Sequence, residues 1–223
     1  MLNNKSNDDE KYQNSFFSLL MTSLFSSCDL TDNPAIEGSN TEAMAGEWYL
    51  QLMDAVDSTL YVDYSLATTS NTAANIGDKM WINWLHIDPT IDFQSIINTN
   101  QTSLTFSSIN ANNLLFSETP PAGKPVVAIG TTDTISPKIP ALVTIEGGAI
   151  TKNSYTPPSK TKTDFLQCRI TWLYKSFNYV ADSYTINGVD TTVVWKLTGT
   201  SESADGPYIM AGYKRTGFLE DEH

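Results

Sequence analysis

Charge is scarce in this chain of 223 residues, and positive charge scarcer still. Charged residues make 17% of it, with 13 Lys and Arg against 25 Asp and Glu, a formal net charge of -12. No stretch gathers the basic residues into a patch, which removes the electrostatic footprint that nucleic-acid binding needs. An anionic membrane surface repels such a body, so any membrane tie has to be hydrophobic or covalent. Histidine and cysteine each occur twice, at His86, His223, Cys28 and Cys168. A Cys/His metal site would need all four, at no recognised ligand spacing, so neither a metal nor a cofactor is expected. There is no Gly-x-Ser-x-Gly elbow, and a Ser-His-Asp triad would have only those two histidines for its base. His223 follows the acidic run "LEDE" and reads as frayed or surface-held; His86 reads as a strand residue sharing a face with Trp84 and Ile82. Asp88 and Asp92 flank Pro89, but a glycosidase pair needs two acids about 5–10 Å apart in a cleft, and a solvated loop explains these equally well. No catalytic residue is assigned.

Long hydrophobic runs are missing too. The best is "FFSLLMTSLFSS" at residues 16–27, followed by Cys28. A dozen residues is too short to span a bilayer, but suits the apolar region of a secretory signal with a small-residue cleavage site. Leu24 to Cys28 resembles a bacterial lipobox, in which the cysteine receives the lipid. Phe25 displaces the usual aliphatic residue, and Asp8, Asp9 and Glu10 make the opening acidic where a signal is basic. The alternative is an N-terminal amphipathic or buried helix. The expectation is a signal over residues 1–28 and a lipid anchor at Cys28, with the protein in the cell envelope, at the outer membrane. A disulfide from Cys28 to Cys168 is the competing use of that cysteine in an oxidising compartment. Residues 29–44 are polar and aperiodic and read as a flexible tether.

From residue 45 on, what is present is alternation. "GEWYLQLM" puts Trp48, Leu50 and Leu52 on one face, and "STLYVDYSLAT" groups Leu60, Val62, Tyr64 and Leu66. "KMWINWLHID" sets Trp81, Asn83, Leu85 and Ile87 against Met80, Ile82, Trp84 and His86. "TDFLQCRITWLY" aligns Leu166, Cys168, Ile170 and Trp172, "DTTVVWKLTG" aligns Val193, Trp195 and Leu197, and "PYIMAGYKRTG" aligns Ile209, Ala211, Tyr213 and Arg215. "PVVAIG" and "ALVTIEGGAI" are short Val/Ile-rich runs. Period 2 without any sustained helical stripe predicts half-buried antiparallel strands. "NG" at Asn187–Gly188, "GG" at Gly147–Gly148 and "ADGP" at Ala204–Pro207 read as turns between them. "DFQSIINTNQ" at residues 92–101 fits a single turn or a short strand. The fold class is all-β, with about eight to ten strands in a barrel or a two-sheet sandwich.

"GEWY" fits the Gly-x-Trp that opens the first strand of lipocalin-type barrels. With "AGEWYLQL", "NTAANIGDKMWI", "ITKNSYTPPSKTKTDFLQCRITW" and "AGYKRTGFLEDEH", the chain resembles the lipid-binding putative hydrolase lipoproteins of Bacteroidota over about residues 43–223. The resemblance implies a lipocalin-like (calycin) barrel behind a lipobox. It implies lipid binding, and by the family's label a hydrolase activity. It further implies that Gly46 and Trp48 close the barrel's base and that Arg215 packs across the indole. "DST" at Asp57, "DTI" at Asp133 and "DTT" at Asp190 resemble O-glycosylation signals of that lineage. The partner expected is a small hydrophobic or lipid-like molecule, lined by Trp81, Leu85, Trp172 and Trp195 if the barrel is hollow. A filled barrel is the equal alternative. A third reading is a surface-displayed module for a glycan or protein partner, for which a loop aromatic such as Tyr155 would serve.

Overall fold

The computed structural model describes residues 38–88 and 91–223. The signal, Cys28 and the tether up to residue 37 lie outside the described residues. Nine strands follow one another: β1 (Gly46–Asp54), β2 (Leu60–Asn71), β3 (Lys79–Asp88), β4 (Ile91–Asn100), β5 (Thr105–Asn112), β6 (Thr132–Ile135), β7 (Leu142–Tyr155), β8 (Thr163–Asn187) and β9 (Asp190–Lys214). Every pairing is antiparallel. β1 to β5 pair in sequence, β7 adds to β5, β8 to β7 and β9 to β8. β9 then pairs with β1, from Trp48↔Lys214 to Asp54↔Tyr208, and the sheet shuts into an eight-stranded barrel. Closure leaves the barrel strands without a free edge. β6 stands outside the ring, paired to β8 at Phe177–Val180.

Closure at the β1–β9 seam needs glycine at one position. Gly212 sits between Leu50 of β1 and Leu166 of β8. A Cβ there would lie 2.8 Å from the Tyr49 carbonyl carbon and 2.9 Å from Leu50 Cα. The β1 backbone runs too close there for any side chain.

Several punctuation signals act inside strands instead of ending them. "NG" does mark the β8–β9 hairpin, one residue early: Asn187 pairs with Asp190, and the two-residue turn is Gly188–Val189, with Gly188 at φ +65. "GG" is a bulge in β7, where the register jumps between Glu146 and Ala149. "ADGP" is a bulge too. Ile170 faces Tyr208, but Trp172 faces Asp205, so β9 carries one extra residue and runs on unbroken. Of the undecided segment 92–101, all but Gln101 fall in β4, so it is a strand. "PVVAIG" at 125–130 is not a strand; it runs as a loop beside β8 and β9, with Val126 and Ile129 exposed.

The core is one cluster drawing on all eight barrel strands. Trp48, Leu50 and Leu52 of β1 and Leu166, Cys168, Ile170 and Trp172 of β8 all point inward, as their alternation predicts. β2 breaks its alternation, because two residues of β1 (Leu50, Leu52) span three of β2 (Val62 to Ser65). Val62 and Ala67 therefore face in while Leu66 faces out. Phe93 of β4 meets Trp172 of β8 edge to face at 5.3 Å. Those strands lie three places apart around the ring, so the contact crosses the interior. The barrel is filled, not hollow. Among the described residues Cys168 is a free thiol buried in that core, and burial pushes its pKa up; the Cys28 that would pair with it lies outside them.

Beyond Leu173, β8 and β9 leave the ring and continue as a two-stranded extension. It keeps a small core of its own: Phe177, Tyr179, Ala181 and Val193 are buried, Phe116 stacks on Phe177, and the Tyr179 hydroxyl donates to Glu118.

Candidate functional site

The barrel has two unlike ends. At the base, residues 38–45 fold under the cylinder and bury Thr41 and Met44 completely. Trp48 Nε1 donates to Thr69 Oγ1 at 2.8 Å, and that hydroxyl donates onward to the Met44 carbonyl at 2.7 Å. The cation over the indole is Lys214, 5.9 Å from the ring centroid, with Nζ bonded to the Ala45 carbonyl. Gly46 makes room for it: a Cβ would stand 2.5 Å from Lys214 Cε.

Arg215 does not cover Trp48. Trp48 registers with Lys214, and Arg215 continues the chain opposite Glu47, donating its backbone N–H to the Glu47 carbonyl. One residue of offset sends its side chain to the other face of the sheet. There the guanidinium pairs with Glu47 and Glu222, each at 2.8 Å. The final residues lie over this outer face. His223 stacks on Tyr64 at 4.5 Å and bonds the Tyr213 hydroxyl at 2.5 Å, and Tyr155 stacks on Tyr213 at 4.5 Å. His223 is thus seated among tyrosines, not frayed, and Tyr155 belongs to this cluster.

The hydrogen bond from Tyr49, then the Arg215 partnership, hold the Glu222 carboxyl below its usual range. A depressed folded pKa contributes stability that is complete above the unfolded value and is lost as pH falls through the folded one. Glu222→Gln is expected to lower the melting temperature slightly near neutral pH. It is also expected to flatten the loss of melting temperature below about pH 4.5, the range where an unperturbed glutamate takes up its proton. Parallel melts of parent and variant across pH 3–7 check it.

The other end is open. A cavity of about 170 Å³ lies there, lined by Leu52, Tyr61, Val62, Ile91, Trp172, Asp205 and Tyr208. Trp172 and Leu52 come from the core, and the bulge in β9 brings the other side. Because of the extra residue, Asp205 and Tyr208 both face the mouth, where regular alternation would have turned one of them away. Tyr208 donates to Asp205 at 2.6 Å and Tyr61 to Asp54 at 3.2 Å, while the two rings meet edge to face at 5.4 Å. Burial first, and then the bond to Asp205, raises the pKa of Tyr208; the bond to Asp54 raises that of Tyr61.

Of the four lining residues expected from sequence, Trp172 alone is at this cavity. Trp81 and Leu85 lie on the outer face of β3, whose inward residues are Met80, Ile82 and Trp84. Trp195 lies on the extension and donates to the Ala122 carbonyl at 3.0 Å. His86 leaves the pattern of its strand at φ +57; its side chain is 90% exposed, with Nδ1 3.9 Å from Asp92. Neither histidine has a serine among its side-chain contacts described here. The three Asp-Ser/Thr triplets start at exposed Asp57, Asp133 and Asp190.

A closed, eight-stranded antiparallel barrel matches the lipocalin-like fold that the sequence resemblance implied. The model of the family described as lipid-binding putative hydrolase matches residues 33–219. The chain belongs to that family. The match covers the whole barrel and its extension. No curated protein matches the chain. For this member of the lipid-binding putative hydrolase family, sequence reasoning missed Tyr61, Asp205, Tyr208 and Lys214. The usable signal for the first three was Gly206–Pro207 within an otherwise strand-like run, a mark of a bulge as much as of a turn.

Proposed function

We propose that this family member binds a small hydrophobic or lipid-like ligand at the open end of its barrel, and does so as a lipid-anchored protein of the cell envelope, at the outer membrane. The mouth cavity carries the reading. It is a concave recess, mostly apolar, with a few polar groups, the usual make-up of a small-molecule site. At about 170 Å³ it has room for five or six water-sized groups of about 30 Å³ each. That suits a headgroup or a chain end. The packed interior below it has no room for a whole lipid, so the rest of the ligand lies outside the ring. The anchor rests on the leader, residues 16–28, with Cys28 as the acylated residue.

Calorimetry of the full chain with 1-decanoylglycerol below its micelle concentration tests the reading. Saturable binding is expected, and Val62→Trp, which fills the recess, should abolish it while the melting temperature stays within a few degrees. Binding that survives this variant places the ligand elsewhere. Membrane fractionation of Cys28→Ala, expected in the soluble fraction, tests the anchor. A second reading has its own support: the tip of the β8–β9 extension exposes Ile186 and Val189, which suits a displayed module with a protein partner. That reading expects no heat from the lipid.

A further inference from the structure

Three tryptophans are fully buried in the barrel, and two have their indole N–H satisfied by a hydroxyl. Trp48 donates to Thr69 at 2.8 Å and Trp84 to Ser65 at 2.7 Å. Trp172 is equally buried, yet its Nε1 has no acceptor among the described residues. Buried donors without a partner are rare in native proteins. The indole also walls the mouth cavity, but its nitrogen is closed to solvent, so a ligand there meets the ring and not the N–H.

The rest of the wall sets the charge of that ligand. Asp205 is its one ionisable group besides the tyrosines, and no Lys, Arg or His lines it. Both tyrosine hydroxyls are committed to carboxylates, Tyr208 to Asp205 and Tyr61 to Asp54. What remains on offer is aromatic ring surface and carboxylate oxygen. Asp54, Asp57 and Asp205 all act electrostatically on Tyr61. The nearby cations are occupied or turned away. Lys175, three residues along β8 from Trp172, is held by Glu202 at 3.3 Å, and Arg169 lies on the outer face beside Glu146 and Gln167. Aromatic faces combined with a carboxylate, and no competing cation, are how proteins hold ammonium groups.

We propose that the mouth cavity receives the ammonium head of a cationic or zwitterionic amphiphile, with the charge against Tyr61, Tyr208 and Asp205. This rests on the mouth-binding reading above and narrows it to one class of headgroup. Four probes with a ten-carbon chain separate the contributions: decanoylcholine, decyltrimethylammonium, 1-decanoylglycerol and decanoate. Each is titrated calorimetrically into the full chain below its micelle concentration. Decanoylcholine is expected to bind about tenfold more tightly than 1-decanoylglycerol, one decade in dissociation constant. Decyltrimethylammonium, which carries the same charge without the ester, is expected to bind about as tightly as decanoylcholine, and decanoate is weakest. Asp205→Asn keeps an oxygen for the Tyr208 hydroxyl but removes the charge. It should erase most of the preference for decanoylcholine and leave 1-decanoylglycerol unchanged. If decanoylcholine binds no more tightly than 1-decanoylglycerol, or its preference survives Asp205→Asn, the ammonium inference falls and the mouth-binding reading stands. If none of the four binds, both fall.

Discussion

Gly212→Ala opens the barrel seam. The added methyl would meet the Tyr49 carbonyl and Leu50 Cα, which are backbone atoms of a paired strand and have no rotamer by which to yield. β1 or β8 has to move away from β9, and either movement breaks a ladder that closes the ring. The Trp48–Asp54 pairing with Tyr208–Lys214 is the ladder that joins β9 to β1 and closes the ring. The expected loss exceeds about 4 kcal/mol, in the exceptional range for a point substitution. Thermal and urea melts followed by near-ultraviolet circular dichroism measure it. A variant that melts within a few degrees of the parent would show that the seam tolerates a side chain, and that β9 does not bridge both neighbours as described.

Trp48→Ala should cost about 3–5 kcal/mol, the range for removing a buried aromatic from a core. Three things go together: the packing of the indole, its bond to Thr69, and the seat over which Lys214 reaches Ala45. Thr69 still has the Met44 carbonyl to donate to, so the base loses volume before it loses all of its hydrogen bonding. Arg215→Ala is the contrasting control. Its partners Glu47 and Glu222 are partly exposed, and exposed pairs contribute about 0–1 kcal/mol. Equal losses from the two substitutions would contradict the separation of Trp48 and Arg215 onto opposite faces of the sheet.

Alternation alone disclosed the inward rows of β1 and β8, because Trp48, Leu50 and Leu52, and Leu166 through Trp172, obey period 2 without interruption. It also disclosed the all-β class. It did not decide which row of β3 faces in, since Trp81 and Leu85 are as apolar as Ile82 and Trp84. Only packing against β2 and β4 chooses between them. The base cation was misplaced by one residue, because a lysine and an arginine stand side by side and the choice depends on pairing register. The mouth was illegible for a related reason. Asp205 and Tyr208 share a wall only through an extra residue in β9, and Gly-Pro signals a bulge and a turn alike. Bulges in β2 and β7 hid other rows in the same way. Trp195 followed the strand pattern correctly, but length took it past the rim, and no local signal marks where a long strand leaves a barrel.

The chain enters at the plugged end of the cylinder, through residues 38–45, and the recess opens at the opposite end, beside Leu52. This gives the molecule a polarity. Under the proposed lipid anchor, a leash on the N-terminal side would hold it bottom-down, with its opening aimed at the surrounding water. Were Cys28 the tether point, cargo would be exchanged with the aqueous phase or a facing bilayer more readily than with the leaflet that holds the leash.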